Sequence, residues 1–199
     1  DAASRWASAV RERAFQGVTD VVLAYRSAAV FADPERTDLE QLHASLREVE
    51  RDSSLFRSES GRRIIIPVLY DGPDLDEASS LLGLTPDTLV ETHTGTDYRV
   101  FAIGFLPGFP YAGYLPRAMS GLPRRSDPRS RVPAGSVAIA GRQTGIYPTE
   151  SPGGWHLLGR TPLRIADPER GFFPIRAGDR IQFCSINPEE FESRRDEPL

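Results

Sequence analysis

Residues 98–155 read YRVFAIGFLPGFPYAGYLPRAMSGLPRRSDPRSRVPAGSVAIAGRQTGIYPTESPGGW, and their density of Gly and Pro predicts short strands separated by tight turns. Two turn clusters here are flanked by aromatic residues, GFLPGFPY at 104–111 and SPGGW at 151–155. Gly permits positive φ and close approach of a ligand, Pro fixes the loop, and aromatic rings form rigid apolar walls. We therefore expect a pocket lip here. The alternative is a compact β-barrel whose ends are closed by these aromatic residues.

The C-terminal part is predicted to be that barrel. The expected strands cover residues 98–103, 135–140, 145–147, 155–158 and 179–186. Two short helices precede them, at 75–82 and 86–94, and the second has Thr85 as its cap with Pro at the first helical position. We place the barrel domain at residues 85–199.

The N-terminal part is predicted to be a small α/β domain over residues 1–84. An amphipathic helix, a hairpin at 18–24 and 28–32, a second helix from Leu39 and a β-branched strand at 62–70 follow one another. This order is that of a split β-α-β fold without its first strand, which we expect to precede residue 1. The predicted fold class is therefore α+β.

Composition excludes several functions. All 24 basic residues are Arg, so chemistry that needs a lysine amine, such as a Schiff base, a P-loop lysine or biotin attachment, is excluded. A net charge of −4 disfavours nucleic-acid binding. The lone Cys184 cannot form an internal disulfide, and no apolar run is long enough to span a membrane. We expect a cytoplasmic protein with neither a nucleic-acid nor a membrane partner.

Four arginines in the loop between the two turn clusters are candidate anion ligands. The loop is interrupted by Pro and cannot be helical, so its guanidinium groups can converge on one carboxylate or phosphate. These residues are Arg124, Arg125, Arg129 and Arg131. The alternative is a solvated basic loop balanced by Asp127.

His93 and His156 are the imidazoles nearest the turn clusters, and either is a candidate proton carrier. A structural role is the alternative for both. Ser136 and Ser151 lie at sharp turns, where a hydroxyl or backbone N–H can serve an oxyanion, but no paired base marks either as a nucleophile. No Cys/His cluster has metal-ligand spacing, so no metal is predicted.

Many blocks in order carry a resemblance to a known family. The blocks are Tyr98-Arg-Val, Gly104-Phe-Leu-Pro-Gly-Phe, Pro123-Arg-Arg, Pro128-Arg, Val132-Pro-Ala-Gly-Ser-Val, Ile146-Tyr-Pro, Ser151-Pro-Gly-Gly-Trp, Gly159-Arg-Thr-Pro and Gly178-Asp. With them the chain resembles the KipI/PxpB family, also labelled allophanate hydrolase subunit 1. The C-terminal half matches closely, and the N-terminal half matches by layout, including Tyr25-Arg26-Ser27.

The resemblance implies a small α/β domain followed by a cyclophilin-like β-barrel. It also implies a KipA/PxpC-type partner (allophanate hydrolase subunit 2) and a PxpA-type component, which together form an ATP-dependent 5-oxoprolinase that opens 5-oxoproline to glutamate. ATP is then a cofactor of the complex. The same pair of folds resembles the carboxyltransferase portion of biotin-dependent urea carboxylase, and one family member inhibits a sporulation histidine kinase.

The residues and the resemblance together predict a substrate site, since a lactam reacts only when its carbonyl is phosphorylated or strongly polarised by groups in a dry site. In this hypothesis arginines bind a carboxylate or phosphate, tyrosines orient the substrate ring, and glycines let the protein backbone come close to that ring. The anion-site residues are Arg124, Arg125, Arg129, Tyr111, Tyr147, Ser151, Gly153 and Gly154. The pocket walls are Phe105, Pro107, Phe109 and Trp155.

Three classes of function compete. The first, which we favour, is a subunit of an amide-opening enzyme that is inactive alone. The second is a regulator that inhibits a histidine kinase, which needs an exposed complementary patch on the barrel. The third is a cyclophilin-type peptide binder or prolyl isomerase.

Overall fold

The computed structural model describes residues 2–51 and 61–199, and the chain divides into two compact units, Asp1–Ser60 and Gly61–Leu199. The first unit contains α1 (Ala2–Arg13), β1 (Val18–Ala24), β2 (Ser27–Ala32) and α2 (Leu39–Arg51). Its two strands form the predicted hairpin, in which Ala24 pairs with Ser27. The side chain of Trp6 on α1 donates a hydrogen bond to the carbonyl of Leu46 on α2, which ties the two helices together.

The second unit holds all remaining elements. Its helices are α3 (Leu75–Leu82), α4 (Pro86–Thr94) and α5 (Pro188–Ser193), with a 3₁₀ turn at Arg117–Met119. Its strands are β3 (Arg63–Val68), β4 (Asp97–Ile103), β5 (Pro110–Gly113), β6 (Arg129–Val132), β7 (Ser136–Ala140), β8 (Gln143–Ile146), β9 (Ser151–Gly153), β10 (His156–Arg160) and β11 (Arg180–Ser185). The predicted cap of α4 is confirmed, because the Thr85 hydroxyl accepts a hydrogen bond from the Thr88 N–H at 3.2 Å.

Seven strands of this unit form one sheet in the order β10-β7-β8-β5-β4-β11-β3. Its edges meet where Leu69, just after β3, exchanges two backbone hydrogen bonds of 2.9 Å with Arg160 of β10. The sheet is therefore nearly closed into a barrel, as expected, and the α+β class is confirmed. Alternate residues of β7 pack into two different cores. Val137 and Ile139 face the main core of the barrel, whereas Ala138 and Ala140 belong to a second, aromatic cluster.

The strand at 63–68 differs from the sequence interpretation. The sequence order groups it with the N-terminal elements in a split β-α-β fold, but it pairs in parallel with β11 in the seven-stranded sheet, while β1 and β2 form a sheet of their own. The physical reason is burial, since Ile66 and Val68 are completely covered in the barrel core. The compact units accordingly divide at residues 60 and 61 rather than at the predicted 84 and 85.

Candidate functional site

The arginine segment lies directly on the Gly-Gly turn. Strand β6, which begins at Arg129, pairs with β9 so that Arg129 is opposite Gly153, and the backbone N–H of Arg125 donates to the carbonyl of Gly154 at 2.8 Å. The imidazole of His156 bonds the carbonyl of Pro123 at 2.9 Å through Nε2. The two motifs that the sequence separates by about twenty positions thus form one surface.

Two of the predicted anion ligands are already paired with a buried carboxylate. Asp74, just before α3, has a side chain only 2% exposed, and it receives Nη1 of Arg125 at 2.8 Å and both Nη atoms of Arg129 at 2.6 and 2.7 Å. The backbone N–H of Leu157 supplies a further bond of 2.8 Å. Arg125 also pairs with Glu77 on the first turn of α3. Four donors therefore saturate the Asp74 carboxylate.

The electrostatics of Asp74 follow from these contacts. Burial alone would raise the pKa of its carboxyl group, but the hydrogen bonds from Arg129 and Leu157 and the charges of Arg129 and Arg125 outweigh burial, so the pKa is lowered. The carboxylate remains ionised at neutral pH. Arg125 and Arg129 consequently act first as structural cations that fasten the loop to α3.

Arg124 differs from these two arginines because its side chain is exposed on the same loop. Its positive charge reaches Tyr147, where it acts with Arg129 and the Trp155 backbone N–H to favour the phenolate. Burial opposes them more strongly, so the pKa of Tyr147 is raised and the hydroxyl stays protonated. Of the three arginines predicted to bind the substrate anion, Arg124 is the one that the described carboxylates leave without an ion pair.

The predicted pocket walls pack against one another. Phe109 is at the centre of this aromatic cluster, with ring centroids 5.2 Å from Tyr147, 5.5 Å from Trp155 and 4.9 Å from Tyr111. Phe109, Tyr147 and Trp155 are buried, whereas Tyr111 is half-buried. Only part of the predicted wall is therefore accessible to a ligand.

Gly153 is required for this packing. A Cβ at Gly153 would lie 2.3 Å from the Tyr147 hydroxyl oxygen, so the tyrosine ring occupies the space that any side chain would need. Gly154 is less restricted, since its nearest neighbour would be Pro128 at 3.5 Å. The sequence predicts that both glycines leave room for a ligand. At Gly153 the side chain of Tyr147 fills that room instead.

The exposed edge of the aromatic cluster is the turn at 104–109. The N–H of Leu106 bonds the carbonyl of Gly104 at 2.8 Å, which closes a three-residue turn around Phe105. Phe105 has φ +68°, an unfavourable value for a residue with a side chain, and the residue is 59% exposed. Its ring stands edge-on to Phe109 and Tyr147, at 5.6 and 6.3 Å, and Pro107 beside it is exposed.

His93 lies inside the barrel, away from solvent. Its Nδ1 is 2.7 Å from the Tyr70 hydroxyl, its Nε2 is 3.0 Å from the Thr144 hydroxyl, and its ring stacks on Phe183 at 4.4 Å. Complete burial lowers the pKa of His93 to about 3, so the ring is neutral at physiological pH. This geometry favours the structural alternative over the predicted catalytic role.

His156 and Ser151 are also covered. The Nε2 of His156 is hydrogen-bonded to the carbonyl of Pro123, and its buried Nδ1 has no hydrogen-bond partner among the described residues. The hydroxyl of Ser151 bonds the neighbouring carbonyl of Pro152 at 3.2 Å. In this arrangement His156 holds the start of the arginine loop, and Ser151 belongs to the β6–β9 ladder.

Asp74 and Glu77, which pair with Arg125 and Arg129, were not among the residues predicted from the sequence. One local signal was available, since acidic residues before and within the first turn of a predicted helix favour its N-terminus and present a carboxylate there. Nothing local indicated that two arginines 51 and 55 residues later would bind it.

Within residues 2–51 and 61–199, no group of three or more His, Cys, Asp or Glu side chains is arranged to hold a metal ion. Over the same residues, none of the helices combines the length and apolar character needed to cross a bilayer.

Comparison with known proteins defines the class. The family model for the carboxyltransferase domain, subdomain C and D, matches residues 1–173, and the chain belongs to this family. Within it, the chain belongs to the KipI/PxpB group: it is 35% identical to the B-type 5-oxoprolinase subunit of Bacillus subtilis, over 96% of this chain and 85% of that protein. The corresponding B-type 5-oxoprolinase subunit of Haemophilus influenzae is 39% identical, over 89% of this chain and 84% of that protein.

Solved structures agree on the fold. TTHA0988 superposes with a TM-score of 0.81 and 42% identity over 94% of this chain, which spans 38% of that longer chain. The Kluyveromyces lactis urea amidolyase superposes with a TM-score of 0.72 at 18% identity, over 96% of this chain and 14% of its own, a likeness of fold alone.

Proposed function

We propose that this chain is the B-type subunit of a bacterial ATP-dependent 5-oxoprolinase and that it works with a KipA/PxpC-type and a PxpA-type partner. The observation that carries the proposal is the similarity, over most of both chains, to relatives named as B-type subunits of 5-oxoprolinase. In the proposed reaction water adds to the lactam carbonyl carbon, the C–N bond breaks, and the nitrogen leaves as the amine of glutamate.

The proposed substrate surface is the exposed edge formed by Phe105, Tyr111 and Arg124. The ring of Phe105 contacts that of Tyr147, and the charge of Arg124 acts on the Tyr147 hydroxyl. In this proposal Arg124 binds the carboxylate of 5-oxoproline, while Phe105 and Tyr111 contact the ring. An arginine that is not committed to an internal ion pair suits an anionic substrate, because its donors are available in the free protein.

The buried residues of the cluster have a supporting role in this proposal. Asp74 fixes Arg125 and Arg129, and through them the loop that carries Arg124. The Tyr147 hydroxyl accepts a hydrogen bond from the Trp155 backbone N–H and keeps its own proton, so it does not act as a base. Since the two candidate histidines, His93 and His156, are buried, we propose that a partner supplies the proton-transferring group. ATP would act through the complex.

Reconstitution tests the proposal. The chain is combined with KipA/PxpC-type and PxpA-type partners, and ATP-dependent loss of 5-oxoproline is followed. We expect turnover only from the full set, and we expect Arg124→Ala to lower kcat/KM by about tenfold or more, chiefly by raising KM.

Arg170→Ala is the matched control, because Arg170 is an exposed arginine outside this surface whose side chain pairs with its neighbour Asp167. Absence of turnover from the full set would refute the proposed function. Normal turnover of the Arg124 variant would remove Arg124 from the substrate surface while leaving the function in place.

A second candidate is a carboxyltransferase-like role in a complex that metabolises urea-type amides. The description of the matching family model favours it, and the urea amidolyase shares the fold. Substitution of urea for 5-oxoproline in the same assay separates the two candidates.

A further inference from the structure

A cavity outside the proposed substrate surface is lined by several arginines. It has a volume of about 520 Å³ and lies where the barrel closes, between the 71–73 and 159–162 segments, the loop at 133–136 and the C-terminal residues around α5. That volume is typical of a small-molecule site. Of the residues assigned to substrate from the sequence, only Arg129 borders it.

Four arginines line this cavity against two aspartates. The arginines are Arg129, Arg131, Arg160 and Arg195, and the aspartates are Asp71 and Asp196. Carboxylates outside the lining pair with three of them, Asp74 with Arg129, Glu150 with Arg131 and Glu192 with Arg195, so the lining is rich in guanidinium donors rather than in unpaired charge.

Three of the guanidinium groups share one bonding pattern. In each, Nε and Nη2 donate hydrogen bonds to one carboxylate: that of Glu150 for Arg131, of Asp71 for Arg160 and of Glu192 for Arg195. In each of them Nη1 has no hydrogen bond to any residue in the part of the chain that the structure describes. Since a guanidinium group has five N–H donors, each of these arginines can bind a second anion without leaving its first partner.

The buried ring of Phe191 orders two of these groups. The Arg160 guanidinium carbon lies 4.6 Å from its centroid and that of Arg195 lies 5.4 Å away, which are cation–π distances. Arg129 is fixed by Asp74 at the other side. Two of the competing carboxylates, Glu150 and Glu192, are more than half exposed, and such exposed pairs are weak. A bound anion would therefore contact arginines that are already partly ordered, and Glu150 and Glu192 would compete only weakly with it for Arg131 and Arg195.

We propose that this cavity binds a small-molecule oxyanion with two or more negative charges, of the phosphate-ester or polycarboxylate class. The planar forks of arginine match both kinds of oxyanion, and a multiply charged ligand engages several forks at once. The cavity is then a second ligand site of the chain, separate from the Phe105–Arg124 surface.

Calorimetric titration of the 199-residue chain with pyrophosphate and with citrate, at constant ionic strength, tests this proposal. We expect saturable binding of at least one of them, and the tighter probe identifies the class of ligand. The double variant Arg131→Ala/Arg195→Ala should weaken binding by about tenfold or more. Arg170→Ala, which removes an arginine charge outside the cavity, should not.

A gain-of-affinity pair strengthens the test. Glu150→Gln and Glu192→Gln release Arg131 and Arg195 from their carboxylates and should tighten binding, whereas Glu169→Gln changes net charge equally on an exposed residue outside the lining. No saturable binding at millimolar probe, or equal effects of the Glu150 and Glu169 variants, would overturn the proposal. Binding is measured without partners, so its failure leaves the proposed 5-oxoprolinase role untouched, and the reverse also holds.

Discussion

Replacement of Asp74 by Asn should release the arginine loop from α3. The side chains have nearly the same shape, so the change removes a charge and sets an amide against donors without opening a cavity. Removal of one partner from a buried ion pair costs about 3–5 kcal/mol in general. Because Arg125 and Arg129 remain 24% and 26% exposed and water can solvate them, we expect a value near the lower end, about 3 kcal/mol.

Thermal unfolding measures this effect. For a chain of this size, 1 kcal/mol corresponds to about 2–4 °C in Tm, so Asp74→Asn should lower Tm by about 6–12 °C. Glu77→Gln is the matched control: it removes a carboxylate that is 56% exposed from the same Arg125, and it should cost less than about 1 kcal/mol. Equal effects of the two variants, or a wild-type Tm for Asp74→Asn, would show that burial of Asp74 does not determine the strength of this contact.

The same carboxylate has a definite pH dependence. Its pKa is lowered on folding from an ordinary value of 3.8, so the unfolded chain takes up this proton first as pH falls. The stabilisation is complete well above pH 3.8 and is lost as pH falls through and below that value. The difference in unfolding free energy between wild type and Asp74→Asn should therefore shrink in acid. A difference that is constant down to the lowest pH at which the chain folds would contradict the ion-pair account.

Three further predictions concern the turns and the barrel interior. Gly153→Ala should destabilise the chain by about 1–3 kcal/mol in chemical denaturation, because its Cβ would collide with the buried Tyr147 ring; a neutral effect would mean that the turn can move aside. The ring protons of His93 should show no titration in NMR spectra between pH 5 and 8, since burial lowers its pKa to about 3, and a midpoint in that range would disprove its sealed environment. Phe105→Gly should change stability by less than about 1 kcal/mol, as relief of positive φ offsets lost ring contacts, yet reduce turnover of the reconstituted complex. Unchanged turnover would exclude Phe105 from the substrate surface.

Local patterns in the sequence predicted most elements of secondary structure. The hairpin at 18–32 and the Thr85-capped helix follow from turn and cap chemistry that acts over a few residues. The pairing of β3 with β11 cannot be predicted in this way, because a β-branched run of this kind suits any buried position in a sheet equally well. Its partner lies more than a hundred residues away and is selected by the closure of the barrel.

The candidate site shows the same division between local and long-range information. The sequence analysis placed Gly153 and Arg129 in the same predicted anion site, and the two residues are paired across β6 and β9. It could not assign their roles, since the space beside Gly153 is filled by Tyr147 and the charge of Arg129 is met by Asp74. Both contacts are properties of packing rather than of composition.

The buried carboxylate also determines how much positive charge the loop can offer a ligand. Two guanidinium groups share Asp74, and one of them also meets Glu77, so Arg125 and Arg129 together with these two acids carry no net charge. A substrate carboxylate that recruited Arg125 or Arg129 would have to leave Asp74 buried with fewer donors, which costs more than an exposed pair returns. Arg124 carries no such penalty. Asp74 thus commits two of the four loop arginines to holding the loop in place, Arg131 pairs with Glu150, and Arg124 is left without an ion pair to a described carboxylate.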